Sequence, residues 1–338
     1  MDKKKIRSDV NQAEPMSLAH IKGQSQVIGL ISVHLQAHFN IRSLTGDDNQ
    51  PFGPVALVGP SGTGKTMVAK AIHAELGNIH LFHSNGETIN SRNELFPILL
   101  NADKNATVFI DEAQGMSAKT QNILLTAISE RFLPITFGTL KHRRGIPLEP
   151  FTLILATTHE YLLKEALRNR MRIYCRFQSY SIPELMDILI QCTQVLGWQY
   201  ESAEVIEIVA KRAKGNARQA LNRYLQTCWQ VAKSHDHDSI EMTDLEQAFD
   251  QMQIDELGLD EIDRQYLRIL SDDRAVPLNV ISSKLGLPSK TVSNIIESYL
   301  IREGFITKDK YSMRVLTAKG SKHIENNSRK DSHASQEN

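Results

Sequence analysis

Gly59-Pro-Ser-Gly-Thr-Gly-Lys65-Thr66 follows the apolar run Pro54-Val55-Ala56-Leu57-Val58 and precedes a helical pattern over 66–76. These eight residues match GxxxxGK[ST] in the context that motif requires, a buried strand before it and a helix after it. Glycines let the backbone close on a ligand without a side chain in the way, and the N–H groups at the helix start face an anion. Lys65 is placed to hold the β- and γ-phosphates of a nucleotide, and the Thr66 hydroxyl to hold a Mg²⁺. In a chain of 338 residues, a chance match is roughly one in a hundred at average residue frequencies. The loop therefore predicts an α/β fold with a parallel sheet.

The stretches downstream fit the same chemistry. Val108-Phe-Ile-Asp111-Glu112 is a buried strand ending in two acids. Asp111 can hold Mg²⁺ and Glu112 can polarise an attacking water. Phe151-Thr-Leu-Ile-Leu-Ala-Thr157-Thr158 is a second strand, and Thr158 at its end can sense a γ-phosphate. Leu167-Arg168-Asn-Arg170 puts cations just beyond, suited to donation into a neighbouring copy's site. Gly215-Asn-Ala-Arg218 opens a helix whose arginine can reach back to the nucleotide.

Beyond the loop, strands alternate with helical patterns at 24–42, 93–101 and 120–129, as in a parallel sheet with crossover helices. From Ser181 the runs 183–196, 203–213, 217–234 and 243–252 are helical with no strand between them. A third part begins near Gly258: helices over 260–270, 278–285 and 289–303, then a hairpin over 304–317. That is the order of a winged helix-turn-helix. Residues 1–14 and the polar stretch after Lys322 read as loose tails.

Composition closes off several function classes. The 39 basic and 39 acidic residues cancel, so no global field draws the chain to DNA or to acidic membranes. Any nucleic-acid contact has to come from local basic patches. No apolar run reaches the ~20 residues of a membrane span, and the first ten residues lack a secretion signal's apolar core. A cytoplasmic protein is expected. The three cysteines (Cys175, Cys192, Cys228) are too scattered for a disulfide framework or a metal site and read as core residues. The twelve histidines show no metal-ligand spacing, and His235-Asp-His237-Asp reads as a solvated loop between helices.

The chain resembles the RuvB family of Holliday-junction branch-migration motors, which are AAA+ ATPases, from about Pro15 to about Gly320. The ATPase motifs are shared by all AAA+ proteins. Gly258-Leu-Asp-Glu-Ile-Asp-Arg and Tyr299-Leu-Ile-Arg-Glu-Gly-Phe305 point to this family. The resemblance implies an AAA+ P-loop NTPase large domain over 15–180, an all-α lid over 181–256 and a winged-helix domain over 257–320. It implies ATP and Mg²⁺ held by Gly59, Gly62, Thr63, Gly64, Lys65, Thr66 and Met67, with Asp111 on the metal. Glu112 would serve the water, Thr158 and Arg218 would be sensors, and Tyr180 would pack near the nucleotide. Arg170 would act on an adjacent subunit of a ring, expected to be a hexamer. The hairpin over 133–147 would dock a RuvA-type partner, and a RuvC-type resolvase would follow. Lys308 and Arg314 in the wing would meet DNA. Departures from the family pattern lie at Glu14-Pro15, in Ser84–Asn90, around Gly138–Arg144, and in the wing, where Asp309 interrupts the cations.

The function expected is an ATP-driven ring that pulls duplex DNA in recombination, repair and the SOS response to DNA damage. Two alternatives stand beside it. One is a divergent paralogue acting on another substrate or partner. The other is a winged-helix regulator switched by nucleotide, weakened because the recognition-like stretch 289–298 carries only Lys290 as a base-reaching cation. A clamp loader fits less well, since that family's lid precedes a helical collar.

Overall fold

A computed structural model of the chain describes residues 7–13, 17–47, 49–135, 144–272 and 275–334. Glu14-Pro15 and most of the Gly138–Arg144 segment lie outside the described residues. The chain divides into two compact units, Met1–Gln199 with Gly215–Gln226, and Tyr200–Lys214 with Thr227–Asn338.

The first unit opens with helix α1 (Ser25–Thr45), then strand β1 (Val55–Val58), α2 (Lys65–Glu75), β2 (His80–Asn85), α3 (Arg92–Asn101), β3 (Ala106–Asp111) and α4 (Ala118–Glu130). A hairpin of β4 (Phe132–Ile135) and β5 (Arg144–Pro147) leads to β6 (Thr152–Thr157), α5 (Glu165–Arg168), β7 (Ile173–Arg176) and α6 (Ile182–Leu196). Five of these strands form one parallel sheet in the order β2-β3-β6-β1-β7. Residues alternate across it. Val55, Leu57, Ile154 and Ala156 pack on Val27, Ile31, Val68 and Ile72 of α1 and α2. Ala56, Val58, Val108 and Leu155 pack on Leu95, Leu99 and Leu124 of α3 and α4. A parallel sheet covered on both faces explains why β1, β3 and β6 read as unbroken apolar runs.

Two edge strands were not visible in the sequence. β2 has no fully buried residue, three of its six being exposed and three half-buried, and β7 ends on an exposed Arg176. An edge strand is exposed on one side and need not be apolar throughout.

Residues 7–13 correct the expectation of a loose N-terminal tail. Arg7 N–H donates to Leu196 O at 3.1 Å and Trp198 Nε1 donates to Arg7 O at 2.6 Å. Val10 is 5% exposed, and its N–H donates to Gln226 Oε1 at 3.1 Å. One buried side chain and paired backbone groups hold a segment too short to have its own core.

The second unit contains α7 (Ala203–Arg212), the greater part of α8 (Gln226–Ser234), α9 (Met242–Gln251) and the winged helix. One main-chain pairing interrupts the expected all-helical stretch, with Glu201 N–H donating to Ile240 O at 3.0 Å. His235 and His237 are not simply solvated: both Nδ1 atoms lie about 3 Å from Asp244, which is fully buried. The winged helix comprises α10 (Glu261–Asp272), α11 (Leu278–Leu285), a helical run over 289–302 with a π turn at Val292–Ile296, and the antiparallel pair Ile306–Lys308 with Arg314–Leu316. Its core is Tyr266, Leu267, Ile281, Leu300 and Phe305.

The expected loose tail after Lys322 is instead helical to Ala334. Gly320 lies so close that a Cβ there would come within 2.4 Å of Phe305 O, and His323 Nε2 pairs with Asp255 Oδ2 at 2.9 Å. Once a first turn is fixed by such packing, further turns add at little cost even in a polar sequence.

Candidate active site

The phosphate loop runs from the end of β1 into α2. Gly62 and Gly64 have φ of +74° and +91°, a region favouring glycine. Space excludes side chains as well. A Cβ on Gly62 would meet Asn216 Oδ1 at 2.0 Å, and one on Gly64 would meet the Tyr180 hydroxyl at 2.7 Å. Tyr180 OH donates to Thr63 O at 2.9 Å, and burial pushes its phenol up to about 12, so it stays a donor. Thr63 Oγ1 donates to Pro60 O at 2.8 Å, and Gly59 O accepts from Lys65.

Lys65 is 6% exposed. Its Nζ donates to Gly59 O and Pro60 O, each at 2.8 Å. Burial pulls its ammonium below the usual lysine range, Glu112 and Asp111 oppose that, and Arg218 adds to it. Thr66 Oγ1 donates to Asp111 Oδ2 at 2.8 Å, the two oxygens offered to one hard cation. This donor set fits Mg²⁺ beside a phosphate chain.

Because β6 lies between β1 and β3, the ends of all three strands meet at one edge of the sheet. Open α/β sheets bind ligands at the carboxyl ends of their strands. Glu112 leaves β3 with φ 45° and ψ 46°. A side chain rarely adopts that conformation unless its surroundings impose it. Here Gly86 presses on the turn: a Cβ there would lie 2.4 Å from Glu112 O. Glu112 Oε2 accepts from Thr158 Oγ1 at 3.1 Å and from Gln114 Nε2 at 2.5 Å.

A cavity of about 380 Å³ opens over the loop, within the usual range for a small-molecule site. Gly62, Gly64, Lys65, Thr66, Met67, Asp111, Glu112, Tyr180 and Arg218 all line it. Gly59, Thr63, Thr158 and Arg170 do not; Arg170 is exposed, with no side-chain partner among the described residues. Sequence reasoning missed the remaining walls. Val10, Ile21, Ile188 and Leu221 add apolar walls to the cavity. Only the approach of distant segments reveals them. Gln114 was also passed over, although it stands two residues past Glu112.

The wing residues separate. Lys308 is exposed, with its Nζ 3.3 Å from Glu297 Oε2. Arg314, expected to meet DNA, is turned inward and 7% exposed. Its Nε and second terminal nitrogen reach the two Glu297 oxygens at 2.7 and 3.1 Å. Glu297 has no exposed surface, and a buried carboxylate needs such a partner.

Known proteins match this arrangement over most of its length. The family described as the Holliday junction DNA helicase RuvB P-loop domain matches residues 13–177, and the RuvB C-terminal winged helix domain matches residues 256–325. The chain is 34% identical over 276 residues to the Holliday junction branch migration complex subunit RuvB of Thermosipho melanesiensis, covering 80% of this chain and 87% of that one. It is 30% identical over 325 residues to the subunit of the same name from Thermotoga maritima, covering 94% and 93%. The solved Thermotoga maritima RuvB Holliday junction branch migration motor aligns with a TM-score of 0.77 at 27% identity, covering 93% of this chain and 98% of that one. The Aeropyrum pernix ORC2 protein, at 15% identity and a TM-score of 0.54, shares the fold.

Proposed function

The chain belongs to the RuvB family, and from that membership we propose that it is an ATP-driven DNA helicase motor that branch-migrates Holliday junctions in recombination and repair. The observation that carries this reading is one strand edge bearing phosphate loop, paired acids and sensor threonine, in a chain that also ends in the family's winged helix.

The roles follow from the chemistry of each group. Backbone N–H groups at Gly62–Lys65 wrap the phosphates. Lys65 exchanges two carbonyls for the β- and γ-phosphates. Thr66 and Asp111 hold Mg²⁺, which when bound neutralises charge developing on the phosphate oxygens. Glu112 orients the attacking water and takes up its proton. Thr158 reads the γ-phosphate, and Arg218 reaches it from the segment that opens at Gly215. Arg170 completes the site of a neighbouring subunit, so turnover requires a closed ring, which we assign as a hexamer.

Within this reading the large ATPase domain is 15–180, the lid 181–256 and the winged helix 257–320. The hairpin of β4 and β5 docks a RuvA-type protein, with a RuvC-type resolvase acting downstream. Lys308 supplies a sequence-neutral phosphate contact, whereas Arg314 shapes the wing that presents it. The motor works in the cytoplasm as part of the response to DNA damage. No helix among the described residues is long and apolar enough to cross a membrane.

The test is ATP turnover with no DNA, with linear duplex and with a synthetic four-way junction, each with and without a RuvA-type protein. Stimulation by DNA, and junction unwinding when the partner is present, is the expected result. Turnover indifferent to every DNA and to the partner would leave an ATPase but remove branch migration.

A further inference from the structure

Gln114 lies on the single turn Ala113–Gly115, which starts from Glu112 and is closed by Gly115 N–H donating to Glu112 O at 2.8 Å. That turn folds the Gln114 side chain back over the carboxylate two residues before it. Its amide nitrogen lies 2.5 Å from Glu112 Oε2 and 3.1 Å from Thr158 Oγ1. Its amide oxygen lies 2.5 Å from Thr157 Oγ1.

The hydrogens can be assigned by elimination. An ionised carboxylate cannot donate, so the amide must turn its NH₂ toward Glu112. His159 N–H donates to Thr157 Oγ1 at 3.1 Å, which leaves the Thr157 proton for the Gln114 carbonyl. One amide proton then goes to Glu112 and the other to Thr158. The Thr158 proton has two acceptors in reach, Glu112 Oε2 at 3.1 Å and His159 Nδ1 at 2.9 Å. Glu112 Oε2 is therefore committed to this network. Glu112 is also among the residues lining the cavity.

We infer that Gln114 is a positioning residue that clamps the Glu112 carboxylate beside the sensor threonine and holds its aim at the water when that threonine turns to the γ-phosphate. When Thr158 turns to a phosphate oxygen, its bond to Glu112 is released. The amide still holds Oε2, so the carboxylate keeps its aim without the threonine. A neutral amide does this without titrating. The inference rests on the reading of Glu112 as the residue that serves the water.

The experiment compares steady-state ATP hydrolysis by the full chain and by Gln114→Ala, Gln114→Asn and Gln114→Glu over a pH series, with a Lys65→Ala control. Gln114→Ala should lower kcat by about ten- to a hundredfold, the usual consequence of misplacing a reactive group by an ångström or so. KM for ATP should stay within about twofold of wild type, since Gln114 does not line the cavity. Gln114→Asn, one methylene short, should recover little of the loss. Gln114→Glu is isosteric but sets two carboxylates against each other, and they cannot both ionise at that distance. Its rate relative to wild type should rise as pH falls, because a protonated Glu at this position donates the same bond. A Gln114→Ala enzyme with wild-type kcat overturns the clamp while leaving the ATPase standing. So does a loss in which KM, kcat and thermal stability fall together and the Gln114→Glu pH profile matches wild type. Absence of any Lys65-dependent turnover in the wild-type chain removes the ATPase reading, and the clamp with it.

Discussion

Lys65 gives two of its protons to carbonyls of its own loop, so the buried ammonium already has neutral partners before any phosphate arrives. Lys65→Ala removes the cation at the transferring phosphate, and ATP turnover should fall at least about a hundredfold in a steady-state assay. Arg170 presents the opposite case, an exposed cation outside the cavity. Arg170→Ala should keep nucleotide affinity and lose about a thousandfold in rate. Mixing it with Lys65→Ala subunits should restore part of the activity, because each supplies what the other lacks. No recovery in a demonstrated mixed ring would sink the trans role. The residues legible in advance were those whose chemistry is written in contiguous motifs, such as Lys65, Thr66, Asp111 and Glu112. Val10, Ile21 and Asn216 carry no local signature; they reach the nucleotide cavity or its loop only through tertiary approach.

Among elements, apolar strands and helically spaced runs declared themselves; the structure adds the capping box that Ser181 and Glu184 close at the start of α6. The edge strands and the polar terminal helix did not, since neither depends on its own apolar residues. The wing misled for another reason: the family resemblance put Arg314 among the DNA contacts, and nothing in the local sequence marks the buried Glu297 that it pairs with. Burial alone would raise the Glu297 carboxyl, but bonds from Arg314 and Tyr266 bring it below the usual range. Arg314→Ala should therefore destabilise the winged helix by about 3 kcal/mol, read by denaturant unfolding, as breaking a buried pair does. The loop before α9 adds a pH dependence. The Asp244 hydrogen bond lifts His237 above its ordinary 6.5, so that contribution is complete below 6.5 and fades as pH rises through the folded value. Burial pushes Asp244 up, yet His237 and His235 outweigh it and leave it below 3.8, so its contribution is complete above 3.8 and fades in acid. Between those limits both act. The Tm gap between wild type and His237→Gln should narrow from about pH 6 to about pH 9; a constant gap would contradict the assignment.

For the whole molecule, a net charge of zero means that grip on DNA has to come from a few placed cations rather than from an overall field. Binding to unrelated duplexes should be similar, with log K falling linearly against log salt. Lys308→Ala should reduce that slope by about one without creating a sequence preference; an unchanged slope would move the contact elsewhere. The short turn at Val10–Ala13 has a practical use. Asn11 is exposed and lines the nucleotide cavity, while all three native cysteines are buried and Cys175, Cys192 and Cys228 are each pushed up to about 12. Thiols held protonated react slowly with alkylating dyes. An Asn11→Cys chain would accept a single fluorophore beside the cavity, so that each arrival and departure of nucleotide could be watched as a change in light.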